Sequence, residues 1–104
     1  MALTLENIEK NIRKKIIISG YDAASGNVAF LSFEDIATLE NVTICILIMK
    51  NGFVVTGESA PINPADYCFE VGRQVAYQRA LDKLYPLMGY ELKTKLSEGA
   101  NEKE

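Results

Sequence analysis

The stretch that decides the fold is VTICILIMKNGFVVTGESAPINPADY, residues 42–67. Val42–Met49 contains only apolar residues and one threonine, which predicts a β-strand. A strand without alternating polar residues is usually buried on both faces. Asn51-Gly52 follows, and this pair predicts a hairpin because both residue types accept the positive φ angles of a type I′ turn. Phe53–Ser59 is then the expected partner strand.

Small residues on either side of this hairpin's exit predict a close contact between backbones. Gly57 lies inside the second strand, where a glycine indicates a bulge or a close backbone approach. Gly72, Ala76 and Ala80 recur every four residues further along the chain. On a helix they form one smooth stripe, against which either the sheet or a second copy of the helix could pack.

A long helix is predicted after the hairpin. Asn63 is a good N-cap, and Pro64 suits the first helical position because its missing N–H is not needed there. We expect the helix to run from Pro64 to about Leu84 and to break or kink at Tyr85, just before a proline. A short antiparallel C-terminal helix is then expected, with a disordered tail over residues 98–104. Its apolar positions are Tyr90, Leu92 and Leu96.

The first half of the chain is less regular. Residues 4–14 predict a short helix capped by Thr4, with Leu5, Ile8 and Ile12 on one face. Ile16–Ile18 predicts a strand because all three residues are β-branched. Two alternatives follow further along. Val28–Phe33 could form a short strand, or Ser32–Leu39 could form a helical turn started by the serine.

These segments together predict a single α+β domain over residues 1–97. A small antiparallel sheet, with its hairpin at about 42–59, would pack against a long helix at about 64–84 and a short C-terminal helix. The 104 residues suit one domain. Their mean hydropathy of +0.01 is high for so small a protein, which favours a homo-oligomer.

Composition argues against several function classes. The chain has no histidine, the commonest general base and zinc ligand, and its two cysteines lack a CxxC spacing. We therefore expect no catalytic residues, no metal and no cofactor, and we expect both cysteines to be buried thiols of a reducing cytosol. The net charge of −3 does not favour DNA, and the longest apolar run is too short for a membrane span.

Four residues are candidates for a ligand site. Phe53 after the turn could stack on a planar group, and Asn63 at a helix start offers a donor and an acceptor. Arg73 and Arg79 on the long helix could pair with phosphates. This combination suits a nucleotide. Each residue also has an ordinary interpretation, as a core ring, a helix cap or a solvated charge, and the residues alone do not decide between the two.

A family resemblance adds to this interpretation. The residues that carry it, from Cys45 to Leu92, follow the pattern C-x-L-x-x-K-N-G-F-x-V-x-G-E-S-A, N-P-A-D-Y and G-x-x-x-A-x-x-x-A-x-x-K-L-Y-P-L-x-G-Y-x-L. The pattern resembles a widespread family of small tailed-phage proteins that includes the Thoeris anti-defence proteins of the first type. Tyr67 and Tyr85 replace the family's usual phenylalanine and tryptophan and preserve an aromatic ring at both positions.

The resemblance implies a function without catalysis. Such proteins act as sponges, which bind the cyclic nucleotide signals of bacterial immunity in the host cytoplasm and hold them intact. The ligands are cyclic ADP-ribose isomers made by TIR-domain enzymes and, for some relatives, cyclic dinucleotides or trinucleotides. The resemblance also implies dimers or hexamers and ligand contacts from Phe53, Asn63, and Arg73 or Arg79. The alternative is a phage protein that inhibits a host protein by direct contact, with the small-residue stripe as its docking surface.

Overall fold

The computed structural model describes residues 3–102, with side chains up to residue 99. The architecture is α+β, as predicted: a three-stranded antiparallel sheet with one long helix across it. In chain order the elements are α1 (Leu5–Lys10), β1 (Ile12–Ser19), α2 (Gly20–Ala23), a 3₁₀ segment (Ser25–Phe30), α3 (Phe33–Glu40), β2 (Thr43–Met49), β3 (Val54–Ser59), a 3₁₀ turn (Pro64–Asp66) and α4 (Phe69–Glu102).

Strand β2 is the centre of the sheet, with β1 and β3 as its antiparallel neighbours. Ile46, in the middle of β2, pairs with Ile16 on one side and with Thr56 on the other. The strand predicted at Ile16–Ile18 is confirmed, and it is longer than predicted because it begins at Ile12. The apolar run of β2 therefore lies where a sheet offers most burial.

One face of the sheet is closed by α4. Cys45 and Leu47 point toward the helix and are fully buried, as are Ala76 and Ala80 of the helix. A Cβ atom added at Gly57 would lie 2.1 Å from the carbonyl oxygen of Ala76, so only glycine lets the two backbones approach this closely. The predicted close approach is confirmed, and the small-residue stripe packs against the sheet.

The other face of the sheet is open in the described part of the chain. Burial along β2 alternates strictly, and Ile44, Ile46 and Ile48 are only half-buried. The expectation that β2 is buried on both faces is therefore wrong within one chain. Alternation was hidden from the sequence because both sets of side chains are apolar.

The hairpin forms where predicted, with a different turn. Gly52 has a φ angle of +89°, and no other residue within 3–102 has a positive φ, so the type I′ prediction is wrong. The loop has three residues, with the Gly52 N–H donating to the carbonyl of Met49 (2.9 Å) and the Met49 N–H donating to that of Phe53 (2.8 Å). The Asn51 carboxamide accepts the N–H of Phe53 at 2.9 Å and stabilises the loop without a positive φ of its own.

The N-terminal helix is shorter than predicted. Thr4 caps it as expected, because its hydroxyl accepts the Asn7 N–H at 3.1 Å. The helix ends at Lys10, however, and Ile12 begins β1 opposite Met49. Helical spacing alone could not separate these two states, since Ile12 is β-branched and pairing with β2 gives its backbone hydrogen-bond partners.

The crossing from β1 to β2 contains helices and no strand. Of the two alternatives at residues 28–39, the helical one is confirmed: α3 starts after Ser32, whose hydroxyl accepts the Asp35 N–H at 3.0 Å. The Asp35 carboxylate in turn accepts the Ser32 N–H at 3.0 Å. This bond, together with a hydrogen bond from the Ser32 side chain to the carboxylate, lowers the pKa of Asp35. The strand expected at Val28–Phe33 is instead occupied mainly by the 3₁₀ segment.

Helix α4 differs from the prediction at both ends. It begins at Phe69, because Asn63 and Pro64 start only the separate 3₁₀ turn. It passes through Pro86 without ending, so the predicted break at Tyr85 and the separate C-terminal helix are wrong. The helix continues to Glu102, while 103 and 104, the end of the predicted tail, lie outside the described residues. Within 3–102, no helix has the length and apolar character that a membrane span requires.

Candidate functional site

An open groove lies between the link that follows β3 and the first turns of α4. Its volume is about 390 Å³. The link forms one wall because Pro61 and the 3₁₀ turn force the chain to cross back toward the helix. The lining residues are Asn41, Ser59, Ala60, Pro61, Ile62, Asp66, Tyr67, Cys68, Val71, Gly72, Val75 and Arg79.

Arg79 is the cation of this groove. Its guanidinium donates a hydrogen bond of 2.8 Å to the carbonyl oxygen of Glu58, on the edge strand β3. This bond uses one N–H and holds the side chain beside the groove, so its other N–H donors remain for a ligand. The Glu58 carboxylate lies 3.9 Å from Lys83, an exposed and weak ion pair.

Asn63 stands at the rim of the same groove. Ile62 and Asp66, on either side of it in the chain, both line the groove. Its carboxamide oxygen accepts the Ala65 N–H at 3.0 Å, so the predicted cap is confirmed for the 3₁₀ turn and not for α4. Its Nδ2 has no hydrogen-bond partner among the residues described, which leaves a donor that could bind the edge of a base.

Phe53 does not belong to this groove within one chain. The ring is half-exposed at the hairpin loop, as expected for a stacking residue. Strand β3 separates it from Asn63, and six residue steps of extended chain span about 20 Å. The sequence analysis grouped Phe53 and Asn63 in one ligand site. The extended strand between them puts them at opposite ends of the sheet instead.

Arg73 faces a second groove on the other side of α4. This groove, of about 220 Å³, is lined by Lys15, Ile17, Glu70, Arg73, Gln74 and Tyr77. The guanidinium lies 3.7 Å from the Glu70 carboxylate and 5.5 Å from the centre of the Phe69 ring. Six residues separate the two arginines, which places them on different sides of the helix. They therefore do not contact one small ligand together within one chain.

Two residues of the second groove, Lys15 and Tyr77, were not among the four ligand-site candidates from the sequence. The ammonium group of Lys15 lies 4.3 Å from the centre of the Tyr77 ring, a cation–π contact. The Tyr77 hydroxyl donates a 2.5 Å hydrogen bond to Glu9, and burial together with this carboxylate raises the pKa of Tyr77. Strand alternation was the available signal, since Lys15 shares the helix-facing side of β1 with Ile17.

The two cysteines have different surroundings. Cys45 is buried in the core, and burial raises the pKa of its thiol. Cys68 is exposed at the groove, so the expectation of two buried thiols is wrong for it. No group of three or more side chains that could hold a metal occurs in the described part of the chain. Donors, an aromatic ring and an arginine around an open groove are suited to binding a polar, planar ligand.

Comparison with known proteins identifies a family. A family model described as "Phage protein (N4 Gp49/phage Sf6 gene 66) family" matches residues 3–96. No curated protein and no solved structure matches the chain.

Proposed function

Because the chain belongs to this family of phage proteins, we propose that it is an anti-defence sponge, which binds cyclic nucleotide immune signals and sequesters them intact. The ligand class is cyclic ADP-ribose isomers, with cyclic dinucleotides and trinucleotides as further candidates. The site of action is the cytoplasm of the host bacterium, where such signals are made. Sequestration requires affinity and copy number only, and no bond in the ligand is broken.

The observation that carries the proposal is the groove beside Arg79. Its volume of about 390 Å³ falls in the range of small-molecule sites. Tyr67 offers a ring, Asn63 offers a free amide donor at the rim, and Arg79 offers the guanidinium donors that phosphates prefer. Of the four residues assigned from the sequence, Arg79 lines this groove, and Asn63 lies in the chain between two residues that line it.

Phe53 and Arg73 enter the proposal differently. Phe53 lies at the far end of β3, so it reaches a ligand in this groove only if another copy of the chain supplies it. A homo-oligomer, a dimer or a hexamer, is therefore part of the proposal. Arg73 belongs to the second groove with Lys15, where it would contact a separate anion or none.

A capture-and-release experiment tests the proposal. The protein is incubated with a TIR-derived cyclic ADP-ribose isomer, filtered, and then heat-denatured. We expect the ligand to disappear from the filtrate and to reappear unchanged after heating. Failure to deplete any member of a panel of cyclic nucleotides would contradict sequestration, and appearance of a linear product would indicate an enzyme instead.

Two arginine variants locate the site. Arg79→Ala removes the guanidinium of the groove, whereas Arg73→Ala removes a partly exposed guanidinium from the same helix on its other side. We expect the first to weaken capture at least tenfold, since a charge-assisted contact contributes about 1.5–3 kcal/mol. The second should leave capture within about twofold. The opposite result would move the site to the groove that contains Lys15 and Tyr77.

Direct inhibition of a host protein is the alternative function. Its motivation was the stripe of Gly72, Ala76 and Ala80 together with the high mean hydropathy. That stripe is buried against the sheet and offers no docking surface.

A further inference from the structure

The open face of the sheet is a nearly regular grid of side chains, three rows of three. Across β1, β2 and β3 the outward positions in the first row are Lys14, Ile48 and Val54. In the second row they are Ile16, Ile46 and Thr56, and in the third row Ile18, Ile44 and Glu58. We call this surface the isoleucine face. Its five isoleucines are half-buried, and Val54 is half-exposed.

The described part of the chain does not cover this face. Helix α4 lies on the opposite side, where Leu47 and Val55 are buried. Helix α1 contributes Ile8 to that same core. Helices α2 and α3 meet at one end of the sheet, where the Gly20 N–H donates to the Val42 carbonyl at 2.8 Å.

A solvated face of an antiparallel sheet is normally polar. Six of the nine positions here are isoleucine or valine, which indicates that a partner covers them. The whole chain also exposes 7391 Å², against about 5,800 Å² for a compact monomer of its mass. Part of this excess surface belongs to the projecting end of α4. The excess as a whole is larger than the ~800 Å² that one partner contributes to a standard interface.

The charges on the isoleucine face favour a second copy of this chain as the partner. Lys14 and Glu58 occupy diagonally opposite corners of the grid. A twofold axis that runs through Ile46 at a right angle to the line from Lys14 to Glu58 places each Lys14 over Glu58 of the second copy and each Ile46 over its equivalent. Because the rows of the grid are ~6.6 Å apart and the strands ~4.8 Å apart, the strands of the two sheets then cross at about 70°, closer to the orthogonal than to the aligned sheet-packing geometry.

We propose that the isoleucine face is a homodimer interface, in which two copies stack their sheets face to face with crossed strands. Lys14 has no ion pair in the described chain, and the Glu58 carboxylate is only weakly paired with Lys83, since Arg79 bonds to the Glu58 backbone carbonyl instead. Both corners are therefore able to pair across the interface. This dimer requires no ligand, so sedimentation without nucleotide tests it separately from ligand capture.

Sedimentation of the full chain without nucleotide tests the interface. We expect a dimer at micromolar concentration. Ile46→Lys, at the centre of the face, should give a folded monomer. The matched control Phe33→Lys alters a side chain that is 93% exposed on α3 and should leave the dimer unchanged. A wild-type monomer at all concentrations, or a dimer that survives Ile46→Lys, would overturn the proposal; a monomer that binds a different protein through this face would replace it.

Charge reversal tests the crossed geometry. Lys14→Glu alone and Glu58→Lys alone each place like charges at two symmetric corners, so we expect each to raise the dimer dissociation constant about tenfold or more. The double variant restores opposite charges and should return to within about threefold of wild type. A double variant as weak as the two single ones combined would overturn the crossed arrangement, and circular dichroism verifies that all variants fold.

Discussion

The covered face and the isoleucine face belong to the same three strands, and they are built from different residues. The covered face meets α4 through Gly57, Ala76 and Ala80, which bring two backbones into contact. The isoleucine face carries broad β-branched side chains and no small residue at its centre. Small residues favour a helix lying directly on the sheet, whereas a flat array of isoleucines favours another sheet at about 10 Å. The contrast indicates that one chain provides a partner for only one of its two apolar faces.

The largest effect should come from filling the contact between β3 and α4. Gly57→Val places its Cβ where the Ala76 carbonyl and the Ala80 N–H already lie, 2.1 and 2.5 Å away. Because both neighbours are backbone, the helix must move off the sheet, and we expect a loss of more than about 4 kcal/mol of unfolding free energy. Urea denaturation measures it. Gly26→Val is the control, since no atom lies within 4 Å of its added Cβ; equal losses in both variants would show that the close approach does not matter.

A pair of neighbouring truncations compares the two faces directly. Leu47→Ala empties a fully buried site on the covered face, and we expect it to cost about 2–5 kcal/mol at any protein concentration. Ile46→Ala lies one residue away on the isoleucine face. In the isolated chain it should cost about 1 kcal/mol, because the side chain is only half-buried.

Protein concentration sharpens this comparison. If the isoleucine face is an interface, the loss at Ile46→Ala grows as the concentration rises above the dimer dissociation constant, since only the dimer buries this side chain. The loss at Leu47→Ala stays constant. If the loss of unfolding free energy at both positions is independent of protein concentration, no partner copy buries the isoleucine face in solution.

How far the sequence predicts this fold depends on which interactions are local. The hairpin and the Ser32 cap were predictable because each follows from residues near one another in the chain. The close approach at Gly57 was predictable for another reason, since small residues occur on both of the elements that meet there. The continuation of α4 through Pro86 was not predictable. A proline destabilises a helix mainly when the carbonyl that it leaves without a hydrogen bond, here that of Asp82, has no other partner. Position 86 is exposed, so water can supply one.

The site was predictable only in part, for a geometric reason. Asn63 could be placed on the link that returns from β3 to α4, but the sequence did not decide between Arg73 and Arg79, because both lie on α4. Phe53 could not be placed, because a spacing of ten residues has a different length in a strand than in a loop. Lys15 and Tyr77 meet only after β1, α1 and α4 have packed, and no local pattern contains that contact.

A smaller effect is expected away from both faces of the sheet, at α3. Ser32→Ala removes the hydroxyl that accepts the Asp35 N–H and should cost about 1 kcal/mol at neutral pH. The lowered pKa of Asp35 means that its ionised form stabilises the fold above the unfolded-state pKa of about 4. This contribution is lost as the pH falls through the folded-state pKa. Alanine keeps the Ser32 N–H, the larger cause of the lowered pKa, and removes only the hydroxyl, so the gap between wild type and Ser32→Ala should narrow only slightly in acid. Urea titrations at neutral and acidic pH measure it; a gap that widens in acid would contradict the contact between the hydroxyl and the carboxylate.

The smallest effect concerns the edge of the covered face, where Tyr77 of α4 donates its hydrogen bond to Glu9 of α1. Tyr77→Phe keeps the ring under Lys15 and removes only this bond, so we expect a loss of about 0.5–1.5 kcal/mol near pH 7. The raised pKa of Tyr77 has a defined consequence in alkali. Its stabilisation is fully present below the unfolded-state pKa of about 10 and decreases as the pH rises above it, because the unfolded chain loses the phenolic proton first. The difference between wild type and Tyr77→Phe should therefore shrink above about pH 10, which chemical denaturation across that range measures. A difference that grows with pH would show that the phenolate is favoured in the folded chain, and would place a cation rather than Glu9 next to the hydroxyl.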